Sequence, residues 1–120
     1  MKIYIATPVN ARKEETLEEK RLAAYYRICE IQKQIHVKLP KAEFHSSFDE
    51  HIAPINKECR KSEAMIIGEC VTEVMECDMI VLDWGFSRSK GCMLARYIGI
   101  RYRKIVRYAE EFGINKEMQF

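Results

Sequence analysis

Between Trp84 and Gly99 the chain reads W-G-F-S-R-S-K-G-C-M-L-A-R-Y-I-G. Ser87, Arg88, Ser89 and Lys90 stand just ahead of Gly91 and of a run with helical spacing. The unpaired N–H groups at a helix start carry partial positive charge and favour a phosphate or a carboxylate. Hydroxyls and cations in the same place reinforce that chemistry. The plainer alternative is that Ser87 or Ser89 caps the helix while Arg88 and Lys90 are solvated.

A second loop has a similar make-up, with Thr7, Pro8, Asn10, Arg12 and Lys13 following the run K-I-Y-I-A. Asp83 ends the apolar run M-I-V-L, where a carboxylate can accept hydrogen bonds from sugar hydroxyls or a base, and Trp84 or Phe86 can stack on that ligand. A turn-forming aspartate beside a packed tryptophan is the alternative. His45 and His51 could act as metal ligands or acid–base groups, but they lack the four-residue spacing of a helical pair and a matching carboxylate motif. His45 is therefore read as a ligand contact and His51 as a surface residue. Glu69, Glu73 and Glu76 make a helical stripe, most simply a solvated face, from which Glu69 could point toward a site. No metal and no cofactor is assigned.

These residues need elements to position them. K-I-Y-I-A (Lys2 to Ala6) reads as a buried strand ended by Thr7-Pro8. From about Thr16 to about His36, Leu17, Leu22, Ala24, Tyr25, Ile28, Ile31 and Ile35 recur at mostly three- and four-residue steps, and glutamates crowd the amino end. Pro40 blocks continuation. A short strand is expected within Ala42 to Phe48, followed by an irregular segment to Lys61. Ser62 caps a helix carrying Ala64, Ile67, Val71, Val74 and Met75 on one face. Met79 to Leu82 is a third strand. A helix with Gly91, Leu94, Ala95, Ile98 and Tyr102 on one face then leads to a strand from Lys104 to Tyr108 and a polar tail. Strands separated by helices, without hairpin signals, predict parallel pairing through right-handed crossovers. The expected fold is one small, doubly wound α/β domain of Rossmann or flavodoxin type spanning residues 1 to 120. Ligands bind beyond the carboxyl ends of the strands in such sheets, and that selects the loops already singled out.

Composition narrows the function classes. Twenty basic against eighteen acidic residues, a net charge of +2 and the absence of a polybasic segment argue against nucleic acid as partner. No apolar run has the roughly 18 to 20 residues that cross a bilayer, and Met1-Lys2 runs straight into I-Y-I, so a cytoplasmic protein with no membrane partner is expected. Five cysteines without C-x-x-C spacing read as free thiols.

The order K-I-Y-I-A-T-P, E-C-D-M-I-V-L-D-W, S-R-S-K-G-C-M-L-A and K-I-V resembles the nucleoside 2-deoxyribosyltransferase-like superfamily and its small nucleotide N-glycosidase members. The likeness covers most of the chain and is most specific from Cys77 to Tyr108. It implies a nucleotide or nucleoside ligand and chemistry at an N-glycosidic bond. It also implies a nucleophilic glutamate in a pattern like S-x-G-x-x-x-E, and that position falls here on Ala95. A methyl group cannot attack an anomeric carbon, so the resemblance implies a binding-competent scaffold without the family's nucleophile. Asp83 and Glu69 would orient sugar or base, Thr7, Asn10, Arg12, Ser87 and Ser89 would hold phosphate, and Trp84 would wall the base. A non-catalytic nucleotide-binding or sequestering protein, with a signalling nucleotide as one candidate ligand, is the other reading. The family habit of completing each site from a neighbouring subunit implies a homo-oligomer, with Asn115, Met118 and Phe120 of the tail in that role.

Overall fold

A computed structural model describes residues 1 to 116. The apolar run Lys2–Ala6 forms β1, with Ile3 to Ala6 all buried. Helix α1 (Leu17–Lys38) begins where the Thr16 hydroxyl accepts from the Glu19 N–H, with Glu18 and Glu19 in the first turn and His36 and Lys38 in the last. Both charge placements suit the helix dipole. Strand β2 (Glu43–His45) is short. Helix α2 (Glu63–Glu76) starts at Ser62, whose hydroxyl accepts from Met65 N. Strand β3 (Met79–Leu82) is buried throughout, α3 spans Lys90–Arg101, and β4 spans Ile105–Tyr108. Single 3-10 turns at Phe86–Arg88 and Ala109–Phe112 flank α3 and β4.

The four strands are parallel in the order β2-β1-β3-β4, with Tyr4 opposite both His45 and Ile80, and Ile80 opposite Val106. This is the doubly wound α/β arrangement expected from the sequence. Alternation along the strands divides the core. Ile3, Ile5, Met79 and Val81 pack with Ala24, Ile28, Ile31 and Ile35 of α1. Tyr4, Ala6, Ile80 and Leu82 face the other way, onto Val74 of α2 and Cys92, Ala95 and Ile98 of α3. Gly99 allows the second layer to close, because a Cβ there would lie 2.7 Å from Val106 Cγ2 and 3.0 Å from Ile80 Cδ1.

Several expected face residues lie outside the core. Leu17, Leu22, Met75 and Tyr102 are exposed, each at an edge of its helical stripe. Among the described residues, no helix is long and apolar enough to cross a membrane. All five cysteines are free thiols, with Cys77 and Cys92 buried.

Candidate functional site

The winding direction reverses between β1 and β3, and a cleft of about 700 Å³ opens beside that point, between α2 and α3 and over the carboxyl end of β1. Its size lies within the roughly 300 to 1,000 Å³ typical of small-molecule sites. Thr7, Asn10, Arg88, Ser89, Lys90, Gly91 and Ala95 line it, so the structure brings together seven of the candidate ligand-binding residues singled out in the sequence.

Ser89 is the N-cap of α3, its hydroxyl oxygen accepting from Cys92 N at 3.2 Å. The capping role weighed for it is therefore present. A serine hydroxyl that accepts keeps its own proton to donate, so a cap and a ligand contact coexist in one group. Gly85, at φ 81°, adopts the left-handed conformation that turns the chain from β3 into the 3-10 turn carrying Ser87 and Arg88.

Among the described residues, the cleft wall holds the cations Arg21, Lys61, Arg88 and Lys90 against the one carboxylate of Glu63. Arg21 donates to the Ala53 carbonyl, and Lys61 to Glu69 at 2.6 Å and to the carbonyls of His51 and Ile52. Glu63 accepts from Asn10 Nδ2 at 3.0 Å. The side chains of Arg88 and Lys90 have no polar partner among the described residues, which leaves two cations at the start of α3 for an anion. The floor is apolar, with Ala95 buried beside Cys92 and Ile98. Burial pushes the Cys92 thiol up to about 12, and burial likewise raises Cys70, so neither is a thiolate at neutral pH.

The other expected residues sit elsewhere. Asp83 shares the parity of Met79 and Val81 and points toward α1, away from the cleft. Its Oδ2 accepts from Arg27 Nε at 2.9 Å and Thr7 Oγ1 at 3.2 Å, and its Oδ1 from Arg27 at 2.9 Å and Trp84 N at 2.7 Å. A carboxylate offers about four acceptor positions, and all are filled. Trp84 donates its indole N–H to the Ile114 carbonyl. The Asn115 carbonyl accepts from Arg27 at 2.7 Å, whereas Met118 and Phe120 lie outside the described residues. Arg12 pairs with Glu14, and Glu69 with Lys61. Pro8 is buried against Gly85, and Ser87 is exposed in the 3-10 turn. His45 lies in a separate cluster with Asp49 and Glu73. Glu73 is 6% exposed, which corrects its reading as part of a solvated stripe.

Two residues of consequence, Arg27 and Asp49, were missed in the sequence and a third, Glu73, was misread, and each had a signal. Arg27 stands three residues after Ala24 and four before Ile31, a charge on the core face of α1. Glu73 stands three after Cys70 and four before Cys77, on the inner side of α2. Asp49 follows His45 by four residues, though in a turn rather than a helix.

Comparison with protein-family models, with curated proteins and with solved structures yields no match to this chain. Fold and cleft together define an open, parallel α/β domain with a cation-rimmed pocket beside its switch point.

Proposed function

We propose that the chain binds a nucleotide in the cleft between α2 and α3, on a scaffold like that of the N-glycosidic-bond enzymes but without their nucleophile. The observation that carries this reading is the pairing of Arg88 and Lys90, unpartnered at the start of α3, with the methyl of Ala95 on the floor one turn further in. The cations and the Ser89 hydroxyl suit phosphate, and the apolar floor suits a sugar or base edge. A deoxyribosyl transfer or hydrolysis needs a carboxylate where Ala95 stands, so binding or sequestration is the activity of this chain. Glu63, the carboxylate on the wall, sits at the start of α2 rather than on the floor. The resemblance further suggests a homo-oligomer, and the exposed stripe Met93, Tyr97 and Ile100 on α3 offers an apolar face to a second copy.

Calorimetry with a nucleoside monophosphate and its parent nucleoside tests the proposal. Replacing Arg88 and Lys90 together by alanine removes no hydrogen bond or ion pair among the described residues. It should weaken the monophosphate about tenfold or more while leaving the nucleoside nearly unchanged. Equal losses for both ligands remove the phosphate from this rim. Ala95→Glu restores the missing carboxylate, and N-glycosidic cleavage by that variant alone would support the scaffold's ancestry in catalysis.

A further inference from the structure

On the α2 side of β2, His45 ends the strand, Asp49 and His51 follow in the turns after it, and Glu73 reaches them from α2. His45 Nδ1 is 2.6 Å from Glu73 Oε1 and 3.0 Å from Asp49 Oδ2, while His51 Nε2 is 2.9 Å from Glu73 Oε2. One ring nitrogen thus faces two carboxylates, one of them on a residue only 6% exposed. We propose that His45, Asp49 and Glu73, with His51 beside them, form a binding site for a first-row transition dication of the zinc class.

A bound cation would complete the hydrogen-bond accounting. His45 Nε2 is buried and has no hydrogen-bond partner, and the nearest charged oxygen is Glu43 Oε1 at 3.5 Å. A neutral ring with its proton on Nδ1 would satisfy one of the two carboxylates at that nitrogen and turn the bare Nε2 lone pair toward Glu43. With a metal on Nδ1 the proton moves to Nε2 and points at Glu43, the carboxylate–histidine arrangement that commonly orients a metal-bound imidazole. Two positive charges also offset the approach of Asp49 and Glu73, whose ligand atoms lie with that of His45 within 4.8 Å of one another. Asp49 is already oriented, because its Oδ1 accepts from Ser46 N at 3.2 Å.

The donor set selects the cation. Imidazole nitrogen mixed with carboxylate oxygen suits zinc and its neighbours, whereas magnesium and calcium take oxygen almost exclusively. The site would act on the cleft from behind, since Ser47 and Phe48, between His45 and Asp49, line the cleft wall, as does Val74 beside Glu73. A bound ion would tie the end of β2, its following turn and α2 into one rigid wall.

Titration of the chelator-treated full chain with cobalt(II) chloride, followed by displacement with zinc(II) chloride, tests this inference. One equivalent of cobalt should give visible ligand-field bands without a thiolate charge-transfer band, and zinc should erase them. Asp49→Asn and Glu73→Gln should each weaken binding about tenfold or more, while Cys70→Ser leaves it unchanged. Circular dichroism establishes that the variants fold. Should Glu73→Gln fail to fold, Asp49→Asn and His45→Ala decide, being turn and strand-end positions. Absence of binding, a thiolate band, or equal affinity in Asp49→Asn and His45→Ala would each overturn the site.

Discussion

Asp83 illustrates how much a side chain's role depends on which face of a strand it occupies. Its position at the carboxyl end of a buried strand suggested a ligand contact, yet its parity with Met79 and Val81 sends it to the α1 side, where Arg27 meets it with two parallel hydrogen bonds. Both partners are nearly inaccessible, with 5% and 2% of their side chains exposed. Removing one member of such a pair leaves a buried charge without its counter-ion, which costs about 3 to 5 kcal/mol. Asp83→Asn is accordingly expected to lower the unfolding free energy in urea by that amount. An unchanged denaturation midpoint would show that Arg27 finds sufficient compensation in the Asn115 carbonyl. The parity was legible in the sequence, since residues 79, 81 and 83 must share a face. What could not be read was the partner, because the distance from Asp83 to Arg27 along the chain carries no pattern.

Among the elements, those with strong local signals were legible almost to their ends. Lys2–Ala6, Met79–Leu82 and the Ser62-capped helix are governed by apolar runs and a hydroxyl cap, which act within a few residues. The glycine of greatest packing consequence was not legible, because Gly99 sits in a helical run where nothing local asks for it. Its reason lies across the chain, in the close approach of α3 to Ile80 and Val106. Gly99→Ala sets two effects against each other. Alanine favours helix by about 1 kcal/mol over glycine. A methyl 2.7 Å from Val106 Cγ2 forces α3 outward, and overpacking costs typically 1 to 3 kcal/mol. The expected sum is a modest net destabilisation, seen as a lowered thermal midpoint. A raised midpoint would mean that Val106 and Ile80 repack freely. The cleft was legible in its loops and not in its wall, because Ser47, Phe48 and α2 approach β1 only through the crossover.

At the scale of the whole molecule, the carboxyl-terminal segment is stitched to the first helix. Ile114 is fully buried in the α1-side core, its carbonyl accepts from Trp84, and the next carbonyl accepts from Arg27. Ending the chain after Gly113 should cost at least the roughly 1.5 to 3 kcal/mol of a buried isoleucine. Ending it after Lys116 should leave monomer stability intact while lowering the mass seen by light scattering, if the tail holds a second copy. An unchanged mass would confine the tail to its own chain. The seam between Trp84 and Ile114 also gives the protein an optical property. Trp84 is the only tryptophan in the sequence, and its indole N–H is held by the last buried residue of the described chain. Its emission is therefore a native gauge of whether that seam is shut: the ring is already 39% exposed, so detachment of the terminal segment would register through loss of the indole N–H bond to the Ile114 carbonyl, changing the fluorescence before the sheet itself gives way.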